Sequence, residues 1–171
     1  MAISLRIASQ AAAAFLVAAC ASGGMRNGVL RSGEVAFRAG PIPAHWQQVD
    51  TDVLEADLAA AGFRDRRNGS TIGVAGRCRR DSDDVPLRAL TQHLYLGFTD
   101  RTIESEQHFP LDGREALRTE MIASLDGVPQ QLVFVVLKKI ACVYDVWFIS
   151  ARDHTDTSEF DQFVHGFRTL D

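Results

Sequence analysis

The chain lacks an excess of basic residues: 18 Lys and Arg stand against 22 Asp and Glu. Phosphate backbones are held by a basic face, so nucleic acid is excluded as the natural partner. It also lacks an apolar run of the roughly 20 residues that a spanning helix needs. There is no G-x-S-x-G elbow, no phosphate-binding glycine loop and no dinucleotide fingerprint, which removes the common readable enzyme classes. Its five histidines, His45, His93, His108, His154 and His165, fall in no metal-ligand spacing. The expectation is therefore no catalytic residue, no bound metal and no cofactor. Cysteine is scarce, with three in 171 residues, and all three carry information.

The first sits at the end of an export-type segment. Met1 to Arg6 is a short n-region with one Arg, Ile7 to Ala19 is apolar, and Leu16-Val17-Ala18-Ala19-Cys20 closes it. This pattern resembles the bacterial lipoprotein lipobox. The resemblance implies removal of residues 1–19, lipidation of Cys20 and a membrane partner reached through the acyl chains. One chain holds a membrane marginally at about 0.8 kcal/mol per methylene, whereas several hold it stably. Ala21 in place of Asp after the Cys resembles the default for sorting to the outer membrane, facing the periplasm. The mature chain would carry 17 basic and 22 acidic residues, a net charge of −5.

Cys78 and Cys142 remain. An even pair in an exported chain favours a disulfide between them over two separate buried thiols.

Residues 20–33, with Gly23, Gly24, Gly28 and Gly33, read as a flexible tether. Residues 34–171 read as a single domain. A strand is expected over Glu34–Phe37, and the rigid Gly40-Pro41-Ile42-Pro43 turn delivers Trp46 toward the core. Thr51–Ala61 fits either a short helix or a loop before a strand at Phe63. Asn68-Gly69 signals a hairpin into Thr71–Cys78. Asp83 or Asp84 would cap a helix with Pro86 in its first turn and Leu87, Leu90, Leu94 and Phe98 on one stripe.

Strands follow over Arg101–Leu111 and Glu115–Leu125, with turns at Asp112-Gly113 and Asp126-Gly127. Leu132–Leu137 is apolar throughout, as a strand covered on both faces would be. Lys138-Lys139 turns the chain into Cys142–Ser150. Thr157–Phe167 closes the domain as a helix presenting Phe160, Phe163, Val164 and Phe167, with Asp156 at its N-cap. The class is α+β, an antiparallel sheet with helices packed on it. This order, with the segments Phe109–Ala116, Val136–Lys139 and Cys142–Asp145, resembles the α/β/α sandwich of PsbP-like and DcrB-like proteins.

Three local features carry alternatives. Arg64, Arg66, Arg67, Arg77, Arg79 and Arg80 could gather at one edge, either as a salt-bridged surface with Asp65, Asp81, Asp83 and Asp84 or as an anionic contact. Asp145 interrupts an apolar strand and needs a partner, such as Arg118, unless it meets a ligand. Asp153-His154-Thr155-Asp156 is the densest polar cluster. The function expected is a non-enzymatic envelope accessory or adaptor with a protein partner, such as an ABC-type lipid transport system. The alternative is a module binding an apolar or amphipathic ligand in a pocket lined by Trp46, Trp147 and phenylalanines, and a hydrolase with an unreadable site comes third.

Overall fold

The computed structural model describes residues 25–49, 59–78 and 84–170. Cys20 and the 1–19 segment lie outside the described residues, as do Arg79, Arg80, Asp81 and Asp83. The order of elements is β1 (Val29–Ser32), β2 (Val35–Arg38), β3 (Trp46–Val49), β4 (Ala59–Asp65), β5 (Thr71–Cys78), α1 (Leu87–Leu94), β6 (Thr99–Leu111), β7 (Arg114–Leu125), β8 (Val128–Lys139), β9 (Cys142–Ala151), α2 (Ser158–His165) and β10 (Arg168–Thr169).

Tight turns set the topology. Asp112-Gly113 and Asp126-Gly127 both place an Asp near φ 50° before a Gly near φ 75–80°. Two successive left-handed residues make the turn whose twist matches paired strands. The consequence is a seven-stranded antiparallel sheet in the order β3-β4-β5-β9-β8-β7-β6, with a three-stranded sheet β1-β2-β10 beside it.

Strand alternation divides the side chains between two faces. Phe63, Ile72, Phe148 and Val133 are successive cross-strand partners on one face. There they join Leu30, Val35 and Phe37 of the small sheet and Phe160, Phe163, Val164 and Phe167 of the C-terminal segment in the main core. Each fully buried aromatic or aliphatic side chain contributes about 1.5–3 kcal/mol, so this layer dominates stability. Gly40 and Gly166 let the end of β2 pass the end of α2 backbone to backbone. A Cβ on Gly40 would fall 2.3 Å from the Gln162 carbonyl oxygen, and one on Gly166 would fall 2.3 Å from the Gly40 Cα.

The opposite face carries Met121, Ala123, Leu132 and Phe134 under Tyr95, and Val136 and Val143 under Leu90. Helix α1 covers it there. Leu132 to Leu137 is buried at every position because β8 lies between the two layers.

Four expectations are corrected. Residues 29–32 are not tether: Asn27-Gly28 forms another left-handed turn and Leu30 is buried in the core. The folded unit therefore begins before Glu34. Ala59–Ala61 belongs to strand β4, because three small side chains alternate well across a sheet covered on both faces; residues 50–58 lie outside the described residues. Helix α1 starts after Pro86 without a side-chain cap and ends at Leu94, so Phe98 packs from the following loop. Strand β8 runs through Lys138-Lys139, and the chain turns at Ile140-Ala141 instead.

Candidate functional site

The densest chemistry among the described residues joins α2 to the start of β3 and to the turn between β4 and β5. The Asn68-Gly69 turn brings Asp65 and Arg67 together: Arg67 donates Nη2–H to Asp65 Oδ2 (2.8 Å) and its backbone N–H to Oδ1 (2.8 Å). The first turn of α2 extends Glu159 into the same place. Glu159 Oε2 accepts the Trp46 indole N–H at 2.7 Å and lies 3.0 Å from His45 Nε2, while Arg67 reaches it at 3.3 Å. Asp65 is buried. The Arg67 side chain holds its carboxyl below the usual range, against the opposing effect of burial. Burial also pushes Glu159 up, but hydrogen bonds from Trp46 and His45 outweigh it and leave it lowered.

The ligand atoms of His45, Asp65 and Glu159 lie within 4.8 Å of one another, a spacing compatible with a metal. Arg67 already occupies both carboxylates, and a cation would have to displace a bidentate guanidinium. The donor set reads as an ion-pair latch locking α2 to the sheet at β3 and the β4–β5 turn. Sequence spacing could not reveal it, because Glu159 lies more than 90 residues from Arg67.

Asp145 lies on the α1-covered face and is buried, and its partner is Arg77 from β5, not Arg118. Register explains the choice: Asp145 sits opposite Ala75, so Arg77 is the next residue along on the same face. Burial raises the Asp145 carboxyl and Arg77 opposes this. One carboxylate oxygen, Oδ1, has no hydrogen-bond partner. Arg118 lies on the other face, bonded to Glu120 and Asp161 at 2.7 Å each. It fastens β7 to α2.

The four described arginines of the expected cluster do not form one patch, and Arg79 and Arg80 lie outside the described residues. Arg67 serves the latch and Arg77 serves Asp145, while Arg64 and Arg66 remain exposed beside Gln47 and Val49. The N-cap of α2 is Thr157, not Asp156, and it makes no side-chain cap bond; Asp156 stands one residue earlier and accepts the Ser158 N–H at 2.9 Å. His154 Nε2 meets the Asn68 side chain at 3.1 Å. His93 and His165 are exposed. Cys78 and Cys142 form a disulfide between directly opposed positions of β5 and β9.

Trp46 and Trp147 occupy opposite faces of the sheet, so the pocket expected between them does not form. A different cleft of about 460 Å³ opens between the β1–β2 hairpin, β3 and α2. Its floor is Ala39, Phe63 and Phe163, with Met25, Ile42 and Arg38 around it. At the far edge of the sheet, β6 runs 13 residues with no strand among the described residues paired to its outer side and nearly every side chain in contact with solvent.

Structural comparison with known proteins decides the fold. The cyanobacterial PsbP (CyanoP) of Synechocystis sp. PCC 6803 aligns over 81% of this chain and 95% of its own, with TM-score 0.58 and 15% identity. The fold is PsbP-like. LpqN, involved in cell envelope biogenesis of Mycobacterium tuberculosis, shares this PsbP-like architecture with TM-score 0.55 and 13% identity over 81% of this chain and 87% of its own. A protein from Bacteroides thetaiotaomicron aligns over 79% of this chain with TM-score 0.57 and 8% identity, and the chain spans 45% of that structure. No family model and no curated protein matches the sequence. At these identities the likeness is one of fold, and function has to be argued from the site.

Proposed function

We propose that the protein is a lipid-anchored envelope protein that acts as a non-enzymatic accessory, holding a protein partner at the membrane surface. The observation that carries the partner role is β6. An edge strand of 13 residues leaves a row of backbone donors and acceptors free for another chain, on a sheet made rigid by two covering layers. The charged clusters support the same reading, since Asp65, Arg67, Arg77, Asp145 and Glu159 are engaged with one another in pairs that hold elements together.

The lipobox-like segment ending at Cys20, the disulfide and the likeness to LpqN support an envelope location. No helix among the described residues is long and apolar enough to cross a membrane; the attachment proposed is the lipid on Cys20. Ala21 favours the outer membrane. An ABC-type lipid transport system is the partner class we favour, on the sequence resemblance alone. A second reading, binding of an amphipathic ligand, is favoured by the cleft at Phe63 and Phe163.

The test is a crosslinked pull-down of the full chain from its native membrane, with mass spectrometry of proteins and lipids. Recovery of a specific envelope protein supports the accessory role. Recovery of a lipid without a protein favours the second reading.

A further inference from the structure

The cleft between the β1–β2 hairpin, β3 and α2 lies where the described chain begins. Its floor is apolar, formed by Ala39, Phe63 and Phe163, and Met25 and Ile42 extend that surface toward solvent. Arg38 and Asn27 supply polar groups at the rim. Gln48 fixes the entry of the chain. With its amide turned to suit both groups, Nε2 donates to the Met25 carbonyl (3.2 Å) and Oε1 accepts the Met25 N–H (3.3 Å). Met25 is thereby held at the cleft by its backbone.

Cys20 precedes Met25 by five residues, a span of at most about 17 Å in extended chain. The intervening Ala21-Ser22-Gly23-Gly24 contains no large apolar side chain that could fill the cleft itself. A group of the right chemistry within reach is an acyl chain on Cys20. We propose that the cleft receives one acyl chain of the lipid carried by Cys20, with the glycerol end near Arg38 and Asn27. This rests on the lipoprotein reading above. It gives the protein a form in which part of its anchor is shielded from water, while the remaining chains engage a membrane.

The experiment uses the full chain made in bacterial cells fed a diazirine-bearing palmitate. The protein is purified, exchanged into detergent-free buffer and photolysed, and the peptides are mapped by mass spectrometry. The expected result is an intramolecular crosslink from the acylated Cys20 peptide to peptides carrying Ile42, Phe63 or Phe163. It should fall severalfold in Ile42→Ser and, independently, in Met25→Ser, both with native circular dichroism. An acylated Cys20 peptide whose crosslinks lie elsewhere, or only between molecules, overturns the cleft assignment and leaves the lipoprotein reading standing. A Cys20 peptide without lipid overturns both. Labelling of the cleft in Cys20→Ala by free diazirine palmitate, with no labelling from the chain's own lipid, overturns the assignment in favour of a lipid taken from solution.

Discussion

Trp147 lies against Gly73, its partner across β9 and β5, so closely that a Cβ on Gly73 would fall 2.1 Å from the indole ring. The glycine is there for the ring. Gly73→Ala should displace the indole and cost about 1–3 kcal/mol, the range for overpacking. Chemical denaturation and tryptophan fluorescence would read the loss and the ring movement together. Gly73→Ala with Trp147→Leu should cost less than the sum of the two single changes, since the clash is shared. A neutral Gly73→Ala would contradict the contact.

The Ile140-Ala141 turn runs against residue preference. Both residues sit in the left-handed region, at φ 51° and 55°, where a β-branched side chain is disfavoured by roughly 1–2 kcal/mol. Ile140 is also exposed, so its side chain gains little from packing. Replacing the pair with Asn-Gly should stabilise the protein by about 1–2 kcal/mol. The check is an increase in the urea midpoint at unchanged slope.

The disulfide closes a loop spanning 64 positions of sequence. In the chain-entropy model that stabilises the fold by about 4 kcal/mol. The variant Cys78→Ser with Cys142→Ser should unfold at lower denaturant by a corresponding amount. Reducing agent should shift the wild-type midpoint and leave that of the variant unchanged.

The carboxylates of Asp145 on one side and of Asp65 and Glu159 on the other oppose one another in pH dependence. Asp145 is raised by burial, with Arg77 acting against it, so the folded state binds its proton more tightly than the unfolded state. Its contribution is fully present below the ordinary carboxylate value of about 3.9 and is lost as pH rises through the raised folded value. Asp65 is lowered by its bond to Arg67, and Glu159 is lowered once Trp46 and His45 outweigh burial. Their contributions are present above the ordinary range and lost as pH falls through the lowered folded values. Asp145→Asn should remove a decline in stability on the rising-pH side, and Glu159→Gln should flatten the acid-side loss. Urea midpoints across pH would separate the two. Arg77→Met should cost about 3 kcal/mol, near the low end for breaking a buried pair, because its guanidinium keeps some solvent contact.

Much of the sheet was legible because its turns have strong local chemistry. Asn68-Gly69, Asp112-Gly113 and Asp126-Gly127 announce left-handed residues, and each joins the strands expected around it. The Asn27-Gly28 turn carries the same chemistry, but it stands among glycines that read as a tether, and that setting hides β1. Ile140-Ala141 gives no turn signal, since its conformation is imposed by the strands that it joins. Helix α1 ran short because the apolar stripe continued into a loop that packs on the same face. The C-terminal stripe Phe160, Phe163, Val164 and Phe167 was clear, and all four residues are buried.

The candidate site was harder to read. Residues from α2, β3 and the β4–β5 turn meet only through tertiary packing, and nothing local links Glu159 to His45 or Trp46. The Asp145 partner depended on strand register: one face offers Arg77 and the other offers Arg118. The lone acidic residue in an apolar strand was a sound signal for a buried pair, but only the order of strands could choose between the two.

The anchored protein is proposed to hold a protein partner along β6. The most direct measurement places a photo-crosslinking amino acid at Glu104 in β6, and at Glu34 in the β1–β2 turn as a control, in the full chain in its native envelope. The expected result is crosslinking of a specific envelope protein from position 104 and not from position 34, with the same cells yielding an acylated Cys20 peptide. Equal crosslinking from both positions, or none from position 104 in an acylated protein, would contradict it.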